Sequence, residues 1–167
     1  MSDEELKAIF DVARELKLHV TAHAYGSRLI KKLIGFGIQG IEHGSLMDEE
    51  TARMMEETGT YLVPTFTPYQ EIFDMDEEGL KKKSPEFQRK LKIYRERMIR
   101  GRESIINSKI KLGYGTDIVS VHESYESGWE YNCMMRSGMD PFRILQAATK
   151  NNAEICGIEH LVGTLEP

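Results

Sequence analysis

Apolar residues recur along this chain at two alternating spacings, runs of helical period separated by short β-branched or apolar stretches that end on glycine or proline. Ser2 with Glu5 three residues on has the form of a capping box, and Leu6, Ile9, Phe10, Ala13 and Leu16 repeat behind it at helical spacing, which predicts a helix over residues 3–16. Leu18 to Ala24 reads as a strand. After Gly26 an amphipathic stretch from Ser27 to Ile34 reads as a helix that stops at Gly35. Ile38 to Glu42 is the next predicted strand, Met47 to Glu57 the next helix, with Asp48 as its cap and Gly59 as its stop. Tyr61 to Thr65 predicts a third strand, ended early by Pro64 and Pro68. An insertion from Pro68 to about Pro85 leads into a long helix on which Phe87, Leu91, Tyr94, Met98, Arg102 and Ile105 share a face. Ile110 to Tyr114 is the fourth predicted strand. A loop to about Glu126, a helix from Ser127 to Ser137 and a second helix opening at Asp140-Pro141 close the chain.

Strands that alternate with helices imply a parallel sheet covered by helices. A closed eight-stranded barrel typically needs about 250 residues. The 167 residues here are read as a single domain with about four strands, a parallel (β/α) half-barrel resembling the second half of a TIM barrel. A half-barrel leaves strand edges and the inner sheet face open to another chain, so a homo-oligomer or a missing N-terminal half-barrel is the expected partner.

Composition narrows the class without naming a chemistry. The formal net charge of -5 lacks the basic excess of a nucleic-acid footprint, and the many Lys and Arg on the long helix lie among Glu96 and Glu103 as a solvated face. No apolar run approaches the ~20 residues of a membrane-spanning helix, and the acidic start Asp3-Glu4-Glu5 is unlike a signal peptide. Cys133 and Cys156 are too few for a disulfide scaffold and lie in no metal-binding spacing, which points to the cytoplasm.

The chemistry-bearing side chains sit in short strings at strand ends: Val20-Thr21-Ala22-His23-Ala24-Tyr25-Gly26, Ile41-Glu42-His43-Gly44 and Gly113-Tyr114-Gly115-Thr116-Asp117. Each ends a strand with a metal-capable side chain and then breaks into loop, as a parallel barrel presents ligands at its carboxyl rim. Two neutral imidazoles and a carboxylate suit zinc, and manganese and iron accept the same donors. Such an ion makes a metal-activated water available near neutral pH. Asp117 within reach of that water could pass a proton to a leaving nitrogen.

In order, HAYG, IEHG, VPT, GYGTD and the segment from Met139 to Thr149, followed by Gly157 and Gly163-Thr164-Leu165-Glu166-Pro167, resemble the amidohydrolase superfamily over essentially the whole chain. The resemblance is strongest to the branch of imidazolonepropionases and prolidase-like or arginine-carboxypeptidase-like metallopeptidases. It implies one or two divalent metals at a site of His23, His43 and Asp117, with His23 and His43 ending the fifth and sixth barrel strands and binding the second metal, and Asp117 following the eighth, binding the first and shuttling a proton. It implies also that His122 faces the substrate. The family's His-x-His pair and its lysine ligand have no counterpart here and would precede Met1, and family members run on past Pro167 into a small sandwich domain. The chain is therefore expected to be the C-terminal half of such a barrel, truncated at both ends, with an incomplete metal site.

The implied function is hydrolysis of C–N bonds in amides, cyclic amides or dipeptides. The alternative is a non-catalytic half-barrel that serves as an assembly or interaction module. A nucleoside-deaminase-like member fits less well, because the resemblance would then require a glutamate where Tyr25-Gly26 stands and a second acid in place of Ile118. Tyr25 either reaches substrate from the rim or packs. His19 is expected in the core or at the bottom face, and His160 at the surface. Asp48 and Asp140 read as helix caps, Trp129 and the methionines as helix packing, and Cys133 as a small buried residue.

Overall fold

A computed structural model of the chain describes residues 1–118 and 128–165. Helix α1 (Asp3–Glu15) opens with the expected capping box: the Ser2 hydroxyl accepts the Glu5 N–H at 3.2 Å, and the Glu5 carboxylate accepts the Ser2 N–H at 2.6 Å. Its inner face is narrower than the spacing predicts. Leu6, Phe10 and Ala13 are buried, whereas Ile9 and Leu16 stand exposed.

Three strands, β1 (Thr21–Gly26), β2 (Gly40–Leu46) and β3 (Tyr61–Val63), form one open parallel sheet in the order β1-β2-β3. Helices α2 (Ser27–Phe36) and α3 (Glu49–Thr58) make the crossovers. The first strand begins later than residue 18 because Lys17 turns left-handed at φ 54° and the Leu18 N–H closes back on the Ala13 carbonyl at 2.8 Å, ending α1.

The expected fourth strand is reduced to one parallel bridge, Leu62 to Leu112. Pro64 explains the loss: Leu62 donates to the Lys111 carbonyl at 3.0 Å and accepts the Gly113 N–H at 2.8 Å, but the next donor in this ladder would be residue 64, a proline without an N–H. On the opposite edge the Asn152 side-chain amide accepts the Tyr114 N–H and donates to the Tyr114 carbonyl, both at 2.9 Å, so those groups are satisfied without a further strand.

The predicted insertion is not bare loop. It holds α4 (Thr67–Asp74) and α5 (Glu77–Lys81) before the long α6 (Pro85–Asn107). On α6 Leu91, Met98 and Ile105 are buried as expected, but Tyr94 is exposed, and Gly101 and Ser104 take its place on the inner face. After the described break come α7 (Trp129–Arg136) and α8 (Pro141–Gln146), a π-helical turn over Ala147–Asn151, and α9 (Asn152–Ile155). Asp140 caps α8 as the sequence predicts, its carboxylate accepting the Arg143 N–H at 3.0 Å.

Ile30, Ile41, Met55, Leu62, Ile105, Leu112, Met134 and Ile144 fill the space between sheet and helices. Each such side chain contributes roughly 1.5–3 kcal/mol on burial. Trp129 packs against this core, and Cys133 is buried and unpaired. Among the described residues no helix is long and apolar enough to cross a membrane.

Candidate metal and substrate site

Thr21, His23 and Tyr25 alternate onto one face of β1, opposite the buried Ala24. That face is the inner side of the open sheet. Register pairs His23 with Glu42 and Ala24 with His43. Strict alternation would therefore send His43 to the helix side with Ala24.

The backbone does otherwise. From Ala24 to Gly26 the first strand advances two residues while β2 advances three, from His43 to Leu46, which places a bulge at His43-Gly44-Ser45. His43 takes φ 78° and Gly44 φ 60°. The bulge turns the His43 ring to the inner face, where its Nε2 lies 2.8 Å from Nδ1 of His23. The ring also lies parallel to that of Tyr25, with 4.9 Å between centroids.

The other side of the ring is held by the segment after β3. Thr65 Oγ1 lies 2.7 Å from His43 Nδ1, and Tyr69 on α4 meets the ring edge-on at 6.4 Å between centroids. Burial first, then the neighbouring Tyr25, pushes the Tyr69 phenol up to about 12, with Ser45 pulling the other way. Burial pushes the His43 imidazole below its ordinary value, against the negative charge of Asp117, and His23 adds to the depression. His43 is thus kept neutral, as a metal ligand must be.

Asp117 stands exposed beyond the Leu112 bridge in a left-handed conformation, φ 46°, and its charge bears on both His43 and Tyr69. Thr65, at φ 46°, is strained in the same way. Non-glycine residues in this region cost of order 1–3 kcal/mol, and strain of this kind collects at functional sites. Here His43, Thr65 and Asp117 all carry it.

The structure brings His23, His43 and Tyr25 into contact and sets Asp117 within electrostatic reach of them. Among the described residues no three His, Cys, Asp or Glu side chains close around a common point. His122 lies outside the described residues, as do Glu166 and Pro167. His19 lies exposed at the bottom of the sheet rather than in the core, beside Gln39 and Tyr61, and His160 is exposed. Tyr25 both packs on His43 and remains exposed on its other side.

A groove of about 850 Å³ lies apart from these residues, between the starts of α2 and α3 and the face of α6. Its Arg28, Arg97 and Arg100 are balanced by Asp48, Glu49 and Glu103, and neither histidine lines it.

Three contributors escape the sequence. Thr65 belongs to a recognisable VPT string, but nothing in that string shows which side chain it will meet. Tyr69 falls in the insertion, where no periodicity places it. Glu130 reads as one more surface acid on a helix, yet it is completely buried and accepts the backbone N–H groups of Phe66 and Thr67 at 2.7 Å each and the Thr67 hydroxyl at 2.6 Å. Burial pushes its carboxyl up, against those hydrogen bonds and the charge of Arg102, which pull it down.

Comparison with known proteins identifies the family and the fold. The model of the amidohydrolase family matches residues 1–167. An ochratoxinase of Aspergillus niger is 30% identical over 151 residues, 90% of this chain and 30% of that protein. Among solved structures, a prolidase complexed with N-methylphosphonate-L-proline superposes with a TM-score of 0.79 at 29% identity, covering 99% of this chain and 40% of that one. A Xaa-Pro dipeptidase with methionine bound in its active site gives 0.78 at 30% identity, over 99% of this chain and 40% of that one. The chain thus spans less than half the length of these relatives.

Proposed function

Because the chain belongs to the amidohydrolase family, we propose that it is the C-terminal half of a hydrolase of C–N bonds, with its site on His23, His43 and Asp117. The observation that carries the reading is the 2.8 Å approach of His23 Nδ1 to His43 Nε2 on the inner sheet face, beside the charge of Asp117.

The donor set fits a divalent metal. His23 Nδ1 and His43 Nε2 face one another at 2.8 Å and the charge of Asp117 bears on His43, so two imidazoles and a carboxylate, donors that suit such an ion, are gathered at one end of the sheet. His23, His43 and Asp117 would hold the ion, zinc by donor preference. Bound there, it would supply Lewis acidity and a water of lowered pKa. Neutral His43 keeps a lone pair toward the site as long as Nδ1 carries its proton. Asp117 accepts the proton of the attacking water on a carboxylate oxygen and returns it to the leaving nitrogen. Tyr25 and Tyr69 border the place where the scissile group would lie, and His122 is proposed to face the substrate. Relatives named prolidase, Xaa-Pro dipeptidase and ochratoxinase support small amides or dipeptides as the substrate class.

A second reading, an assembly module, is favoured by apolar side chains left in solvent. Val12 and Leu16 on α1 and Phe142 and Leu145 on α8 are all more than half exposed. On that reading an N-terminal half-barrel, or a second copy, covers them and the free edge of β1.

Elemental analysis of the dialysed chain, beside a His43→Ala variant, separates the two. Stoichiometric zinc that is lost in the variant supports the hydrolase site, and turnover of N-acyl amino acids or dipeptides would follow. A folded chain without metal would overturn a metal site in this chain and favour assembly.

A further inference from the structure

We propose that Glu130 is a positioning residue for His43: it holds the segment from Thr65 to Thr67 so that Thr65 fixes the His43 tautomer whose Nε2 lone pair faces His23. The two residues do not touch. The link runs through the three residues after Pro64.

Glu130 comes from α7, more than sixty positions along the chain from the segment it binds. One carboxylate oxygen accepts the Phe66 N–H at 2.7 Å, and the other accepts the Thr67 N–H at 2.7 Å and the Thr67 hydroxyl at 2.6 Å. Both oxygens accept, which suits a carboxylate and leaves no room for a carboxamide NH2. Behind it sits the Arg102 guanidinium, between the rings of Phe66 at 4.4 Å and Phe73 at 3.9 Å and donating to Ser137 at 2.8 Å and Gln70 at 3.2 Å. The start of α4 is therefore clamped from two sides.

Thr65, the residue immediately before this clamp, is buried and left-handed. A β-branched residue does not hold that conformation unaided. Its hydroxyl meets His43 Nδ1 at 2.7 Å. If the ring proton sits on Nδ1 and is donated to Thr65, Nε2 is free to accept from His23 Nδ1–H or to bind an ion. Tyr69, one turn into α4, meets the same ring, so a shift of the helix start would disturb both contacts. A cap for α4 alone could be supplied by a surface Ser or Asp without the desolvation cost of a buried carboxylate.

The inference rests on His43 being the group that the proposed site uses, but its test requires no metal. Histidine-15N-labelled, metal-free chain at one fixed neutral pH is compared with Thr65→Ser, Thr65→Val, Glu130→Gln and the Thr65→Val/Glu130→Gln double variant. Long-range 1H–15N spectra read which His43 nitrogen carries the proton. Wild type and Thr65→Ser are expected to hold it on Nδ1. Thr65→Val and Glu130→Gln are expected to move it toward Nε2, with the double variant no further shifted than Thr65→Val. A Glu130→Gln chain that melts earlier but keeps the wild-type tautomer overturns the proposal and leaves Glu130 a helix cap. Should Glu130→Gln not fold, Thr67→Val removes only the hydroxyl contact: a smaller shift in the same direction supports the link, and no shift overturns it. Zinc titration in parallel is expected to weaken about 10-fold or more in Thr65→Val and Glu130→Gln. Absence of zinc binding in wild type counts against the hydrolase reading alone, because the tautomer comparison still decides this one.

Discussion

Gly101 of α6 approaches Ser45 so closely that a Cβ at position 101 would stand 2.3 Å from the Ser45 carbonyl oxygen. Ser45 belongs to the bulge that turns His43 inward, so the long helix is a wall against which the bulge is set. Only a residue without a side chain permits the contact.

Gly101→Ala is accordingly expected to cost roughly 1–3 kcal/mol in urea denaturation through overpacking. Gly35→Ala is the contrast. Within α2, with nothing within 4 Å of a new Cβ, it is expected to raise stability by about 0.5–1 kcal/mol. Equal effects of the two would show that the α6 approach to Ser45 is not tight in solution.

Asp48 caps α3 through one carboxylate oxygen, which accepts the Thr51 N–H at 2.8 Å and the Thr51 hydroxyl at 2.7 Å. Burial pushes this carboxyl up, but the hydrogen bonds from Thr51 and Ser27 and the charge of Lys31 bring it below its ordinary 3.8. As pH falls, the unfolded chain takes up the proton first. The cap's ionised contribution is thus complete above 3.8 and lost as pH drops from there through the lower folded value. Asp48→Ala is expected to cost about 1 kcal/mol at pH 7, and Asp48→Asn to keep most of the cap while flattening this acid limb in pH-dependent melting.

Tyr69 should remain protonated where exposed tyrosines have ionised, since its phenol is pushed up to about 12. Tyrosine ring 13C shifts followed to pH 11 are expected to show several resonances that lag, since burial also pushes the Tyr61 and Tyr114 phenols up, with the one that lags furthest vanishing in Tyr69→Phe. Survival of the furthest-lagging signal in Tyr69→Phe would place the most strongly shifted phenol elsewhere.

Burial pushes the Arg102 guanidinium down to about 10, so it remains a cation at neutral pH between its two phenylalanine rings. Lysine keeps the charge but not the planar fork that reaches Gln70 and Ser137. Arg102→Lys is expected to cost roughly 1–3 kcal/mol in urea denaturation. A neutral outcome would mean that the charge alone supports Glu130.

Local signals in the sequence were reliable where the physics is local. The Ser2–Glu5 box, the Asp48 and Asp140 caps and the alternation of strand and helix all appear where residue type and spacing place them. Face assignments at longer range fared less well: Ile9, Leu16 and Tyr94 have the right spacing for a core but stand exposed. The fourth strand keeps a single bridge because Pro64 cannot donate the next ladder bond, while Asn152, almost forty residues downstream, takes up the Tyr114 backbone groups on its other edge.

The same division runs through the site. Sequence alone placed His23, His43 and Asp117 toward the carboxyl ends of the first, second and fourth β-segments, because glycine and loop signals follow each of them within a few residues; the structure extends β1 and β2 past the two histidines to Gly26 and Leu46. Alternation puts His23 and Tyr25 on one face, and it would have put His43 on the other. Only the tertiary structure decided that the imidazoles meet. The left-handed turn at His43 depends on the bulge, on Thr65 holding Nδ1, and on a glycine in α6 that lets a helix lie against Ser45. Those contacts join residues far apart along the chain, and no periodicity of two or 3.6 encodes them.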